Sequence, residues 1–121
     1  MTLRKIMLVG FAAALLNIVA APARADDCKE PKEGTDAVPI FSPPLANVVT
    51  GTGRLQFYSA PNEHCAMNGV FVIPKDSLVA YSETNDGWSS VMYMNPRTGD
   101  TVQGWVRSAR LKHTGTMGPK Y

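Results

Sequence analysis

Cys28, Cys65, His64 and His113 are the side chains of this 121-residue chain best suited to covalent chemistry. A thiol nucleophile needs a base within hydrogen-bond reach. His64 directly precedes Cys65, and neighbours on an extended chain point to opposite faces, so His64 serves poorly and His113 is the other choice. In an oxidising compartment an even pair of cysteines in a small domain is more simply a disulfide. Cys28 and Cys65 stand 37 positions apart, and closing that loop contributes about 4 kcal/mol on the chain-entropy model. A Cys28–Cys65 disulfide and no catalytic residue are therefore expected.

Other constellations are thin. Met92 and Met94 share a strand face and, with Met67 and His113, offer soft donors. No repeated Met-x-Met and no His pair at ligand spacing accompanies them, so gap filling is the expected role, with no metal and no cofactor. Asp76, Glu83, Asp86 and Asp100 all fall in or near predicted turns, where carboxylates cap or solvate. No two share an apolar setting that would drive their pKa values apart, as acid and base work on a glycosidic bond requires. A phosphate-cradling glycine loop and a nucleophile elbow are both missing. The aromatic residues remain. Tyr58 and Tyr93 carry hydroxyls that want water or a partner, which suits an exposed platform. Trp88 follows a turn and fits either a core lid or a groove wall. Trp105 follows Gly104, where a bare backbone lets another strand come close, and core packing is its expected role.

The elements that would position these residues begin after a leader. Arg4 and Lys5 precede a mostly apolar run from Ile6 to Ala21, and Ala23-Arg24-Ala25 supplies the small residues of a cleavage site, so residues 1–25 read as a signal peptide. The destination is then periplasmic or secreted, and contact with a membrane is expected only through the uncleaved signal. Of the 12 Lys and Arg, three lie in the leader, leaving nine against 10 Asp and Glu. A mature chain near neutrality has no electrostatic footprint for nucleic acid. About 96 residues suffice for one small domain.

Residues 26–47 carry Pro31, Pro39, Pro43 and Pro44, an excess of acids and no periodic pattern up to Pro44, which predicts an irregular Pro-rich arm. Short apolar runs then alternate with turn residues over 48–112, predicting strands at 48–50, 54–59, 69–73, 77–82, 88–94 and 101–106. Val79, Tyr81, Val91, Val102 and Val106 are the expected inward residues, with Phe71 and Ile73 on the inner face of their strand. Ser108 to Leu111 fits one 3₁₀ turn, and residues 113–121 read as a flexible tail. No helical period is long enough for a substantial α-helix.

From Arg54 to Leu111 the order of elements resembles a bacterial SH3-like domain. The resemblance rests on an opening strand ending in Pro61, the tight turn Pro74-Lys75-Asp76, the step Asp86-Gly87-Trp88-Ser89-Ser90-Val91, and the closing Gly104-Trp105-Val106 before Leu111. Tyr58 stands where that family often has Arg, and Asn95 to Asp100 lengthens a usually tight hairpin. The fold implied is all-β: a small SH3-like barrel of five to six short antiparallel strands preceded by the arm. The function implied is a non-catalytic module that recognises peptide or cell-wall peptidoglycan through an aromatic surface, here Tyr58, Trp88 and Tyr93 with Trp105 beside them. The alternative is an inhibitor or immunity-type protein, whose arm or loops plug the cleft of a periplasmic wall-degrading enzyme.

Overall fold

Seven strands form one antiparallel sheet in the computed structural model, which describes residues 28–117. They are β1 (Ile40–Val49), β2 (Leu55–Tyr58), β3 (Ala66–Val72), β4 (Ser77–Glu83), β5 (Trp88–Met94), β6 (Thr101–Arg107) and β7 (Leu111–Thr116). Two 3₁₀ turns, Glu63–Cys65 and Ser108–Arg110, complete the regular structure, and no α-helix occurs among the described residues. The leader expected at 1–25 lies outside the described residues.

The order across the sheet is β3-β2-β6-β5-β4-β1-β7, which leaves β3 and β7 as its edges. The sheet is thus all-β and antiparallel as expected, has seven strands where five to six were predicted, and is not closed into a barrel. It curls nonetheless. Val49 of β1, Leu55 and Phe57 of β2, Val72 of β3, Leu78 and Ala80 of β4, Val91 of β5 and Val106 of β6 all meet in one buried cluster, and Leu111 of β7 packs on it half-buried, so every strand contributes to the same core.

The two extra stretches of strand correct the predicted boundaries. The arm does not run irregularly to residue 47, because β1 starts at Ile40 and lies between β4 and β7. Its prolines are accommodated because pairing with β4 skips from Ile40 to Leu45, and Pro43 and Pro44 fall in that irregularity, where a missing N–H costs no ladder bond. The predicted tail from 113 likewise begins inside β7, which pairs with β1 from Leu45↔Thr116 to Val49↔Leu111. Every β7 side chain except Leu111 is exposed, so backbone pairing and not an apolar pattern creates the strand.

The remaining differences are one-residue shifts of face. Val91 and Val106 are buried as expected, but in β3 and β4 the core takes Val72, Leu78 and Ala80, while Phe71 and Ile73 are 37% and 50% exposed and Val79 turns outward. Because the side-chain period of a strand is two, such a shift moves a whole set to the other face.

Candidate functional site

The outer face of the sheet is built from the residues that alternate with the core. On β5 these are Trp88, Ser90, Met92 and Met94, and register places Trp88 opposite Arg107, Ser90 opposite Trp105 and Met92 opposite Gln103 on β6. Val79 on β4 pairs with Met92 on one side and with Ala46 of β1 on the other. One end of this face is therefore aromatic and the other is lined by methionine.

At the aromatic end, Trp105 and Trp88 form a second buried cluster with Val38, and Tyr58 packs against it. Tyr58 and Trp88 meet edge to face with ring centroids 4.8 Å apart. The Arg107 guanidinium lies 3.9 Å above the Trp88 ring and pairs at its other end with the exposed Glu63 carboxylate. The stacking contributes on the order of 1 kcal/mol, and the solvent-exposed ion pair adds little. The Trp105 indole N–H donates to Glu30 Oε1 at 3.1 Å. Gly104 permits the close packing expected beside Trp105: a Cβ there would stand 2.9 Å from the Tyr58 carbonyl oxygen and 3.0 Å from the Phe57 ring.

The predicted aromatic surface is thus divided. Trp105 is 0% and Trp88 2% exposed, so neither lines an open groove. Both are covered on the outside by the segment carrying Glu30 and Val38, a contact across at least 50 residues of sequence that no local pattern reveals. Tyr58 is half-buried against them. Tyr93 lies apart, packed partly on the main core and lining a hollow of about 240 Å³ with Lys75, Asp76, Ser77, Met94 and Pro96.

Cys28 and Cys65 are joined in a disulfide, with Cα atoms 5.6 Å apart. Cys65 therefore carries no thiol to act as a nucleophile. His64 is exposed on its 3₁₀ turn, and His113 Nδ1 lies 2.5 Å from Oδ1 of the buried Asn47, far in register from the disulfide. No group of three or more His, Cys, Asp or Glu gathers at metal-ligand distance among the described residues.

The other end of the outer face is open. Ala46, Val79, Met92 and Met94 line a groove of about 270 Å³, with Asn47, Ser77 and Thr114 as polar members and Met117 at one edge. Met94 and Met117 are each 52% exposed. The shared face of Met92 and Met94 was legible, whereas Ala46, Val79 and Met117 join them only through the pairing of β5 with β4, of β4 with β1 and of β1 with β7.

One polar atom on this face stands alone. Ser82 pairs with Ser90, which pairs with Trp105, and its hydroxyl is buried without a hydrogen-bond partner among the described residues. A buried hydroxyl left unsatisfied costs about 1–3 kcal/mol. Ser82→Ala is expected to raise stability by about 1 kcal/mol, read as a higher urea midpoint at constant m. A lowered midpoint would mean that the hydroxyl is in fact engaged.

No family model matches the chain, and no curated protein and no solved structure matches it either.

Proposed function

We propose that this chain is a non-catalytic binding module of an exported compartment, with a curled SH3-like sheet that takes peptide or the peptide stems of peptidoglycan. The observation that carries the reading is the open groove of Ala46, Val79, Met92 and Met94, an apolar trough with a few polar groups at its margin. Such a composition suits recognition by shape and apolar contact. Unbranched thioether side chains adapt to ligands of varied shape. The Cys28–Cys65 disulfide supports an oxidising destination. The ligand surface proposed is accordingly the methionine groove with Tyr93 at its flank, in place of a platform made from the two tryptophans.

The test is retention of the mature protein on purified peptidoglycan sacculi. Met92→Asp places a charge in the groove on a half-buried position and is expected to lower retention about tenfold or more, as loss of a central contact does. Equal retention of Met92→Asp and the parent would remove the groove from the reading.

The inhibitor reading has one observation of its own. The 95–100 hairpin projects from the β5–β6 end with residues 96–100 all exposed, and Asn95 Oδ1 accepts from the backbone N–H of Arg97 at 2.8 Å, which presets its shape. Absence of sacculus binding, together with inhibition of a wall hydrolase that is lost when 96–99 are replaced by glycine and serine, would favour it.

A further inference from the structure

The segment from Cys28 to Pro39 differs from the rest of the chain in how it is held. Only Val38 within it is buried, and none of its residues belongs to the main core. Its own structure is one turn, closed by Gly34 N–H to Val38 O at 2.8 Å and Val38 N–H to Thr35 O at 3.1 Å. Beyond the disulfide, its ties to the sheet are few. Glu30 accepts from the Trp105 indole, Ala37 O accepts from Asn85 N–H at 3.2 Å, Pro39 O accepts from Glu83 N–H at 3.4 Å, and Val38 packs on Trp88 and Trp105.

These contacts have the form of a ligand on a site. An apolar side chain rests on two indoles, a carboxylate accepts from the Trp105 indole N–H, and a guanidinium stacks on the Trp88 ring of the same aromatic pair. The buried Ser82 hydroxyl, without a hydrogen-bond partner among the described residues, stands two strands from Trp105 in the same cross-strand row, through Ser90.

We propose that residues 28–39 are an internal ligand occupying a second, aromatic binding site, retained there by the Cys28–Cys65 disulfide, and that reduction of this bond by a dithiol opens the site to an acidic peptide of the same chemistry. In the opening step a reductant thiolate attacks the sulfur of Cys28, the less buried of the two, and the Cys65 sulfur leaves as a thiolate. The second thiol of the reductant then displaces Cys28. The reductant ends as a disulfide, its two electrons and two protons residing on the Cys28 and Cys65 thiols. Before reduction the segment is tethered at both ends, by the disulfide at Cys28 and by its continuity with β1 at Ile40, and afterwards at one end only, so its effective concentration over Trp88 and Trp105 falls and a separate peptide at excess concentration can displace it. The proposal stands apart from the groove reading, since retention through Met92 does not require the segment to move.

Trp88 and Trp105 are the only two tryptophans in the chain, so fluorescence reports this site alone. The experiment compares the oxidised mature protein with the same protein in dithiothreitol under native conditions. Reduction is expected to shift emission to the red and to raise acrylamide quenching about twofold, while hydrogen-exchange protection of β4, β5 and β6 is unchanged, as for a local opening. The double variant Cys28→Ser, Cys65→Ser should behave the same way without reductant. A synthetic peptide of residues 29–39 added to it should restore low quenching. Val38→Asp, with the disulfide intact, should raise quenching as well and separates release of the segment from chemistry at sulfur. Unchanged quenching after complete reduction overturns the proposal. So does loss of protection throughout β4 to β6, because the bridge would then hold the whole fold, and so does a peptide that fails to protect the indoles.

Discussion

Gly104→Val is expected to lower global stability by about 3 kcal/mol or more and to cost most in the corner built by β2 and β3. Two of the three atoms nearest the missing Cβ cannot move cheaply: the Tyr58 carbonyl oxygen at 2.9 Å belongs to the backbone of β2, and the Phe57 ring at 3.0 Å is locked in the main core. The Met67 sulfur at 3.2 Å is flexible and can yield. Relief therefore requires β2 to separate from β6. That junction is slight, with Tyr58↔Trp105 as its paired register, and β3 reaches the sheet only through β2. Valine adds two methyl groups beyond the Cβ, so the strain exceeds that of Gly104→Ala, expected near 1–3 kcal/mol. Urea unfolding measures the total, and hydrogen exchange over residues 55–72 shows where it falls. A valine variant within about 0.5 kcal/mol of the parent would mean that β2 and β6 are not in contact at this point.

Much of this architecture is written locally. The strand predicted at 88–94 matches β5 to the residue, and those at 77–82 and 101–106 fall one residue short of β4 and β6. Strong turn residues frame each of them, as Asn85-Asp86-Gly87 does before Trp88, and Gly87 adopts a φ of +91°. The disulfide was anticipated from the even cysteine count together with the oxidising compartment expected for the chain. The misplaced faces of β3 and β4 have a common physical cause. Val70-Phe71-Val72-Ile73 and Leu78-Val79-Ala80-Tyr81 are apolar on both faces, so no alternation tells inside from outside. That double-sided character is itself informative, because Val79 turns outward into the groove. β1 and β7 stayed hidden for opposite reasons. Prolines masked the first, and the second is polar enough to look like a tail, its pairing supplied by the exposed edge of β1. The covered state of the two tryptophans lies beyond local pattern altogether, since Glu30 and Trp105 meet across 75 residues.

Trp105→Ala should destabilise the oxidised protein by about 3–5 kcal/mol, the range for removing a large buried aromatic side chain. A domain of this size has a total stability of roughly 5–14 kcal/mol, so the variant would sit close to the edge of folding. The side chain is fully enclosed, lies over the β6–β5 pairing at Ser90, and packs with both Trp88 and Val38, so its removal opens a void beneath both of them. Trp105→Phe separates volume from hydrogen bonding. It keeps most of the packing and loses the N–H that donates to the exposed Glu30, and should cost about 1–2 kcal/mol. The same pair of substitutions in the Cys28→Ser, Cys65→Ser background then distinguishes a core residue from a covered site. If the 28–39 segment leaves when its tether is cut, Trp105 is already partly in water in the reference protein, and the cost of Trp105→Ala falls by about 1 kcal/mol or more, a non-additivity expected of groups that share a contact. An undiminished cost in the cysteine-free background would place Trp105 in the core irrespective of the segment above it.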